Sequence, residues 1–287
     1  MRHTEPMPAE DRYAQPLNVA PGRIIRDHDE PIKAGSMLWV FTDPHRGHEF
    51  AYNRWYERDH YYGGCMIGAN HFAGSRWVAP RRYREARFPV ESPMPFPRDA
   101  GTYACLYWYL DGHHQEVLDW ATPQVHRLYA EDRGFASRTH YNTATYGHSW
   151  RAYRDPDPVP IELALDHRYP GMVALFVDRA DGVEQNRLDA WFDGFLPGWF
   201  AGSSVASIAD WTNIPLRDDK PDFTPVDPAN ERRSLQIHFV ETDPLDVWDE
   251  EHRLADELAA SGLGSIAFVA PFLATVVGTD TYVDELW

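Results

Sequence analysis

The 287-residue chain carries 44 Asp and Glu against 27 Lys and Arg, a formal net charge of −17. That excess argues against nucleic acid or an anionic membrane surface as partner, because both need clustered Lys and Arg. Hydrophobic residues make up 43% and aromatics 14%, with 11 Trp, 15 Tyr and 14 Phe, enough for a sizeable core and for an apolar ligand cavity.

The two cysteines, Cys65 and Cys105, match no metal spacing and no disulfide framework. The N-terminal run MRHTEPMPAEDRYAQPLNVAPGR has no apolar segment of a secretory signal. No stretch approaches the roughly 18 apolar residues that a membrane helix needs. The expected setting is reduced and cytoplasmic, with no nucleic acid and no membrane as partner.

Residues 1–35 are polar and proline-rich and read as an extended arm. SMLWVFTDP is a strand closed by Asp43-Pro44. HEFAYNRWYERDHYY follows as a helix, with Gly63-Gly64 expected to stop it. NHFAGSRWVAP is a strand, and a basic, proline-rich connector runs from Arg81 to Asp99. TYACLYWYL is strongly β-prone. HHQEVLDWATPQVHRLYAEDRG is a helix in which Pro123 is expected to make a kink or a new turn. THYNTATYGHSWRAY is a fourth strand. The order β-α-β-β-α-β is that of a ferredoxin-like unit.

DPDPVPIEL reads as a linker, after which the pattern restarts. GMVALFVD, SVASIADWTN, RSLQIHFVET and SIAFVAPFLATVVG are strands. NRLDAWFDGFLPGWFAG and PLDVWDEEHRLADELAASGLG are helices. The offset between the halves is roughly 135 residues, too long for a solenoid. Met37-Leu38-Trp39-Val40-Phe41 matches Met172-Val173-Ala174-Leu175-Phe176, and Trp55-Tyr56-Glu57 matches Trp191-Phe192-Asp193. The chain therefore divides into the arm (1–35), a first unit (36–154) that bears the site, a linker (155–170) and a structural second unit (171–287). A four-stranded ferredoxin-like sheet has helices on one face and must cover the other. Two tandem units do this for each other, so the expected fold is α+β: two ferredoxin-like units forming one intramolecular α+β barrel, as a monomer or homodimer.

Tyr52-Asn53-Arg54-Trp55-Tyr56-Glu57-Arg58-Asp59-His60, followed by Ala73-Gly74-Ser75-Arg76-Trp77, resembles the first helix and second strand of the EthD-like branch of the dimeric α+β barrel superfamily. The usual Pro-Gly-Phe turn between them is replaced by Ile67-Gly68-Ala69-Asn70-His71-Phe72. The resemblance implies the fold over residues 36–287. It leaves the reaction open, since the superfamily holds cofactor-free monooxygenases, cyclases, isomerases, aldoxime dehydratases and haem proteins.

Asn53, Tyr56 and His60 fall at i, i+3 and i+7, one face of an α-helix. Their counterparts in the second half are Asp189, Phe192 and Leu196, so the polar trio belongs to the first unit alone. His60 suits general acid–base work near neutrality. The competing reading is a histidine at a helix C-terminus. Tyr56 and Asn53 would stabilise a developing oxyanion. His71 and His126 are further candidates for proton transfer, His126 through the likeness of TPQVH to a pocket segment of related cyclases. Trp55 and Tyr107 would form walls. Tyr103, Cys105, Tyr107 and Tyr109 share one face of their strand and Trp108 lies on the other. Of His140 and Tyr141, one faces the helices and the other the barrel interior. Arg82, within RRYREAR, is a candidate clamp for a substrate carboxylate, against the commoner reading of a solvated basic strip.

No HExxH, CxxC, GxGxxG, GxxxxGK[ST] or GxSxG motif is present, so no metal, nucleotide or acyl-enzyme chemistry is expected. The reading is a cofactor-independent enzyme on a hydrophobic, aromatic small molecule, driven by proton transfer in the manner of a lyase, decarboxylase, isomerase or cyclase. A cofactor-free monooxygenase, a haem enzyme with His238 or His252 as axial ligand, and a non-catalytic binding protein remain alternatives.

Overall fold

The computed structural model describes residues 8–222, 224–225, 227 and 229–287; the first seven residues of the predicted arm lie outside this range. Eight strands form one closed barrel in the order β1-β3-β2-β8-β5-β7-β6-β4. The first unit supplies β1 (Ala34–Pro44), β2 (His71–Val78), β3 (Tyr103–Leu110) and β4 (Arg138–Tyr153). The second supplies β5 (Gly171–Arg179), β6 (Val205–Ile214), β7 (Arg233–Val240) and β8 (Gly264–Ala274). Each half has the ferredoxin-like order, fourth strand beside first, first beside third, third beside second. The halves close along two unequal seams. β4 and β6 pair from Thr145 with Ile214 to Tyr153 with Ser207, whereas β2 and β8 pair only at Trp77–Ala274 and Val78–Leu273.

Alternation along each strand sorts the side chains. Met37, Trp39 and Phe41 of β1 and Leu106 and Trp108 of β3 point inward, where they meet Phe176, Trp211, Phe239, Phe268 and Phe272. The inside of the barrel is thus solid aromatic core. Leu38, Val40, Cys105, Tyr107 and Tyr109 point outward under the helices. Cavity space is therefore available between sheet and helices, not inside the barrel.

Helices α1 (Ala9–Tyr13) and α3 (Arg81–Glu85) are single short turns within the arm and the basic connector. The helices that cover the sheets are α2 (Glu49–Trp55, continuing as a π-helix over Tyr56–Met66), α4 (His114–Ala130), α5 (Gln185–Trp199) and α6 (Trp248–Ser261). Two expectations are corrected. Gly63-Gly64 does not stop the first helix, because the chain passes at Tyr56 into π-type turns that run through both glycines to Met66. Pro123 does not start a new turn, since α4 runs continuously from His114 to Ala130 on both sides of it. The described part of the arm lies on β4 and α5, with Ile25 bridged to Arg151 and Arg26 paired with Asp189 at 3.0 Å. Gly22 sits at φ 71°, and a Cβ there would meet the Pro197 backbone at 2.5 Å, so only glycine allows the arm so close to α5. Glu162, in the segment read as a linker, ties these parts together. It is buried, accepts from Arg151 at 2.7 Å and from the Ala34 amide at 3.1 Å, and faces His28 at 3.2 Å.

Candidate functional site

A cavity of about 120 Å³ lies between the first unit's sheet and its helices. An engineered apolar cavity of about 150 Å³ takes up benzene, so this one is the size of a single aromatic ring. Its wall is mostly apolar: Leu38 and Val40 of β1, Tyr107 and Tyr109 of β3, and Leu118, Ala121 and Val125 of α4. Polar groups enter from His60, His71, Arg138, His140, Thr143 and Thr145.

His60 owes its place to the π-helix. Bonding from i to i+5 turns the chain less per residue than an α-helix, so the one-face relation expected of Asn53, Tyr56 and His60 is broken after Tyr56. The imidazole packs flat on the Trp55 indole, with centroids 4.6 Å apart and planes at 16°, and edge-on to Tyr56 at 5.1 Å. It makes no hydrogen bond to the described residues. Gly64, four residues on, leaves room for it, since a Cβ there would stand 2.8 Å from His60 Nδ1. Burial, then the charge of Arg138, lowers the His60 pKa to about 3, with Asp59 opposing. Asp59 itself is paired with Arg133 at 2.5 Å.

His140 is held in one tautomer. Arg138 Nε donates to its Nε2 at 2.8 Å, and its Nδ1 lies 2.8 Å from Thr143 Oγ1. A nitrogen that accepts from a guanidinium carries no proton, so the imidazole is neutral with its hydrogen on Nδ1. Burial, then Arg138 and His60, lowers its pKa to about 3. A β-bulge makes this geometry possible: Phe41 pairs with Asn142 but Thr42 with His140, leaving Tyr141 as the extra residue. His140 and Thr143 thereby reach the same cavity despite odd spacing, while Tyr141 turns to Phe41 and Phe96 at the end of the barrel interior.

The other predicted residues divide. His71 lines the cavity, edge-on to Tyr109 at 4.7 Å. Tyr56 and Tyr107 also line it, but Tyr107 donates to the Tyr56 hydroxyl at 2.8 Å, and burial first of all raises both phenols well above their usual range. Trp55 backs His60 and donates from Nε1 to the Arg133 carbonyl at 2.8 Å. Four candidates lie elsewhere. Asn53 is buried facing the C-terminal segment, donating to the Thr279 carbonyl at 2.9 Å and accepting from Arg76 at 3.0 Å. Tyr103 packs beneath the Arg76 guanidinium, 4.9 Å from ring centre. His126 is exposed on α4, where Nε2 lies 3.3 Å from the Asp219 carbonyl. Arg82 is exposed and paired with Asp243. The rest of its cluster is likewise engaged, Arg81 with Glu85, and Arg84 and Arg87 with backbone carbonyls.

Sequence reasoning missed Arg138, Thr143 and Thr145, whose placement depends on the bulge. It also missed the connector after β6, which brings Leu216, Arg217 and Lys220 of the second half to the cavity. In the second half the corresponding positions are apolar and buried. Phe192 and Leu196, the counterparts of Tyr56 and His60, pack with Leu188, Trp199, Leu254 and Leu258.

Two ferredoxin-like sheets closed back to back, with helices outside, settle the architecture. The fold is that of the dimeric α+β barrels. No family model and no curated protein matches the chain. Among solved structures, an anthrone oxidase-like protein aligns at 10% identity with a TM-score of 0.49, covering 88% of this chain and 94% of its own. A mutant chlorite dismutase from Candidatus Nitrospira defluvii aligns at 8% and 0.49, covering 88% and 96%. A Rhodococcus jostii RHA1 DypB variant in complex with heme aligns at 10% and 0.45, covering 95% and 100%. At these values the likenesses carry no information about chemistry in this barrel.

The two histidines considered for haem do not fit as axial ligands. His238 is fully buried, with Nδ1 2.8 Å from Glu251 Oε1 and Nε2 3.4 Å from Gln236 Oε1. His252 lies flat on Phe88 at 3.9 Å. Neither presents a nitrogen to the ring-sized cavity. No described group of three or more His, Cys, Asp or Glu could hold a metal ion, and no described helix is long and apolar enough to cross a membrane.

Proposed function

We propose that the cavity is the active site of a cofactor-independent enzyme that moves a proton on a hydrophobic, one-ring aromatic substrate. The observation that carries this reading is His60: an imidazole with no hydrogen-bond partner among the described residues, its pKa lowered chiefly by burial, stacked on Trp55 at the wall of an apolar, ring-sized cavity.

In the proposed step, His60 takes a proton from an acidic C–H or O–H of the substrate. The electron pair stays on the substrate as an enolate or phenolate, and the fixed charge of Arg138 stabilises it. The proton then returns to a second atom of the same anion, which shifts a double bond and completes an isomerisation with no other bond broken. A base with its pKa near 3 is weak in the empty site. Burial, then Arg138 and last Arg76 cause that weakness, and substrate negative charge offsets the two cations, so His60 becomes more basic as the anion develops. Tyr56 and Tyr107 serve as wall and stay protonated. His140, with both nitrogens engaged, holds Arg138 in place rather than exchanging protons.

The test is turnover, by mass spectrometry, of a panel of one-ring aromatic acids, phenols and ring ketones by wild type and His60→Ala. The expected loss on substitution is about 10²–10⁴-fold with the fold intact. Full activity in the variant overturns the assignment.

A further inference from the structure

The acidic chain has kept its acid out of this cavity. Of 44 Asp and Glu residues, none lines it among the described residues, whereas Arg138, Arg217 and Lys220 all do. The second half supplies Leu216, Arg217, Lys220, Pro221 and Thr224 to the cavity wall, and the carboxylates beside them, Asp218, Asp219 and Asp222, are exposed. Two neighbours of Lys220 pin the segment to α4. Arg217 pairs with Asp119, and the Asp219 carbonyl accepts from His126 at 3.3 Å. Arg217 is further occupied by Asp219 at 2.9 Å. Lys220 is different: its ammonium has no hydrogen bond or ion pair among the described residues. The chain holds only one other lysine, Lys33. A half-buried lysine at an apolar cavity, its ammonium without a partner among the described residues, is stabilised by an anion from outside the protein.

We infer that the ligand of this cavity is a one-ring aromatic carboxylate, and that Lys220, supplied by the second half, binds its carboxylate. This rests on the reading of the cavity as a ligand site given above and adds the substrate's charge. It also gives the second half, where Phe192 and Leu196 replace Tyr56 and His60, a part in the site of the first.

The test is equilibrium binding by calorimetry of matched pairs, benzoate with benzamide, 4-hydroxybenzoate with 4-hydroxybenzamide, and phenylacetate with phenylacetamide. The proteins are wild type, Lys220→Met, Lys220→Arg and, as control, Lys33→Met. The expected result is that at least one carboxylate binds about tenfold more tightly than its amide. Lys220→Met should remove that preference without weakening the amide. Lys220→Arg and Lys33→Met should keep it. Equal binding of both members of every pair, no carboxylate binding across the panel, or a preference that survives in Lys220→Met overturns the inference. His60→Ala separates the two readings: a carboxylate preference retained there, with no turnover by wild type, leaves the anion site standing and removes the catalytic proposal.

Discussion

The Trp55 indole lies parallel to the His60 imidazole at 4.6 Å, and the Arg138 guanidinium stands 4.7 Å from the same indole. Because Trp55 Nε1 is anchored on the Arg133 carbonyl, one rigid ring positions both the base and the cation. Trp55→Leu keeps an apolar residue but removes the flat support. Misplacement of a reacting group by about 1 Å costs about 10²-fold. The expected signature is a fall in kcat of about that size with KM changed far less. A kcat within twofold of wild type would show that Trp55 does not position the site.

Gly64 offers a second handle on the same imidazole. Gly64→Ala places a methyl 2.8 Å from His60 Nδ1 and 2.9 Å from Cε1, closer than two such atoms can stand. The ring must rotate into the cavity, where it competes with ligand. Overpacking of this kind costs about 1–3 kcal/mol. The variant should fold, lose a few degrees of Tm and bind ring-sized ligands at least about tenfold more weakly. Ligand affinity equal to wild type would mean that the imidazole does not border the ligand.

Asn53 should behave in the opposite way. It is buried, and its amide bridges Arg76 to the Thr279 carbonyl and Asp280. Removing it takes one of two acceptors from Arg76 Nη1 and leaves Glu57, at 3.2 Å, as the other. Asn53→Ala is therefore expected to cost about 1–3 kcal/mol in urea unfolding, while kcat per folded molecule stays within a few-fold. A large kcat loss without loss of stability would restore Asn53 to the reacting centre.

Hydrophobic runs and turn residues made the barrel legible, because each strand buries both faces and each helix one stripe. The internal duplication pointed to the site-bearing half through one contrast, His60 against Leu196. Two local departures from ideal geometry stayed hidden. The π-helix after Tyr56 separates Asn53 from His60, and no periodicity argument built on α spacing detects it. The bulge at Tyr141 puts His140 and Thr143 on one side, against strict alternation. Lys220 was invisible for a third reason: it reaches the cavity from the other half of the chain, across a contact that only closure of the barrel creates.

Buried titratable groups make the stability of the chain depend on pH with a definite sign. His60, His140 and His148 have folded pKa values of about 3 against an ordinary 6.5, each chiefly through burial. Their contribution is whole above pH 6.5 and is lost as pH falls, since the unfolded chain takes up protons that the folded one refuses. Asp210 opposes them. Burial, then Asp189, raises its pKa to about 7 from 3.8, so its contribution is whole below 3.8 and fades as pH rises to 7. Between about pH 4.5 and 6 unfolding thus binds roughly one and a half to two protons net from these four groups, and stability falls on acidification by about 1.4 kcal/mol per proton and pH unit. Asp210→Asn keeps the acceptor for Ser234 Oγ, which donates to Asp210 Oδ1 at 3.1 Å, and removes the opposing titration. The variant should be more stable than wild type at pH 8, converge toward it near pH 4, and show the steeper slope between. Urea unfolding at pH 4.5, 6 and 8 measures all three. Parallel curves for the two proteins would mean that Asp210 is ionised throughout and that burial does not hold its proton.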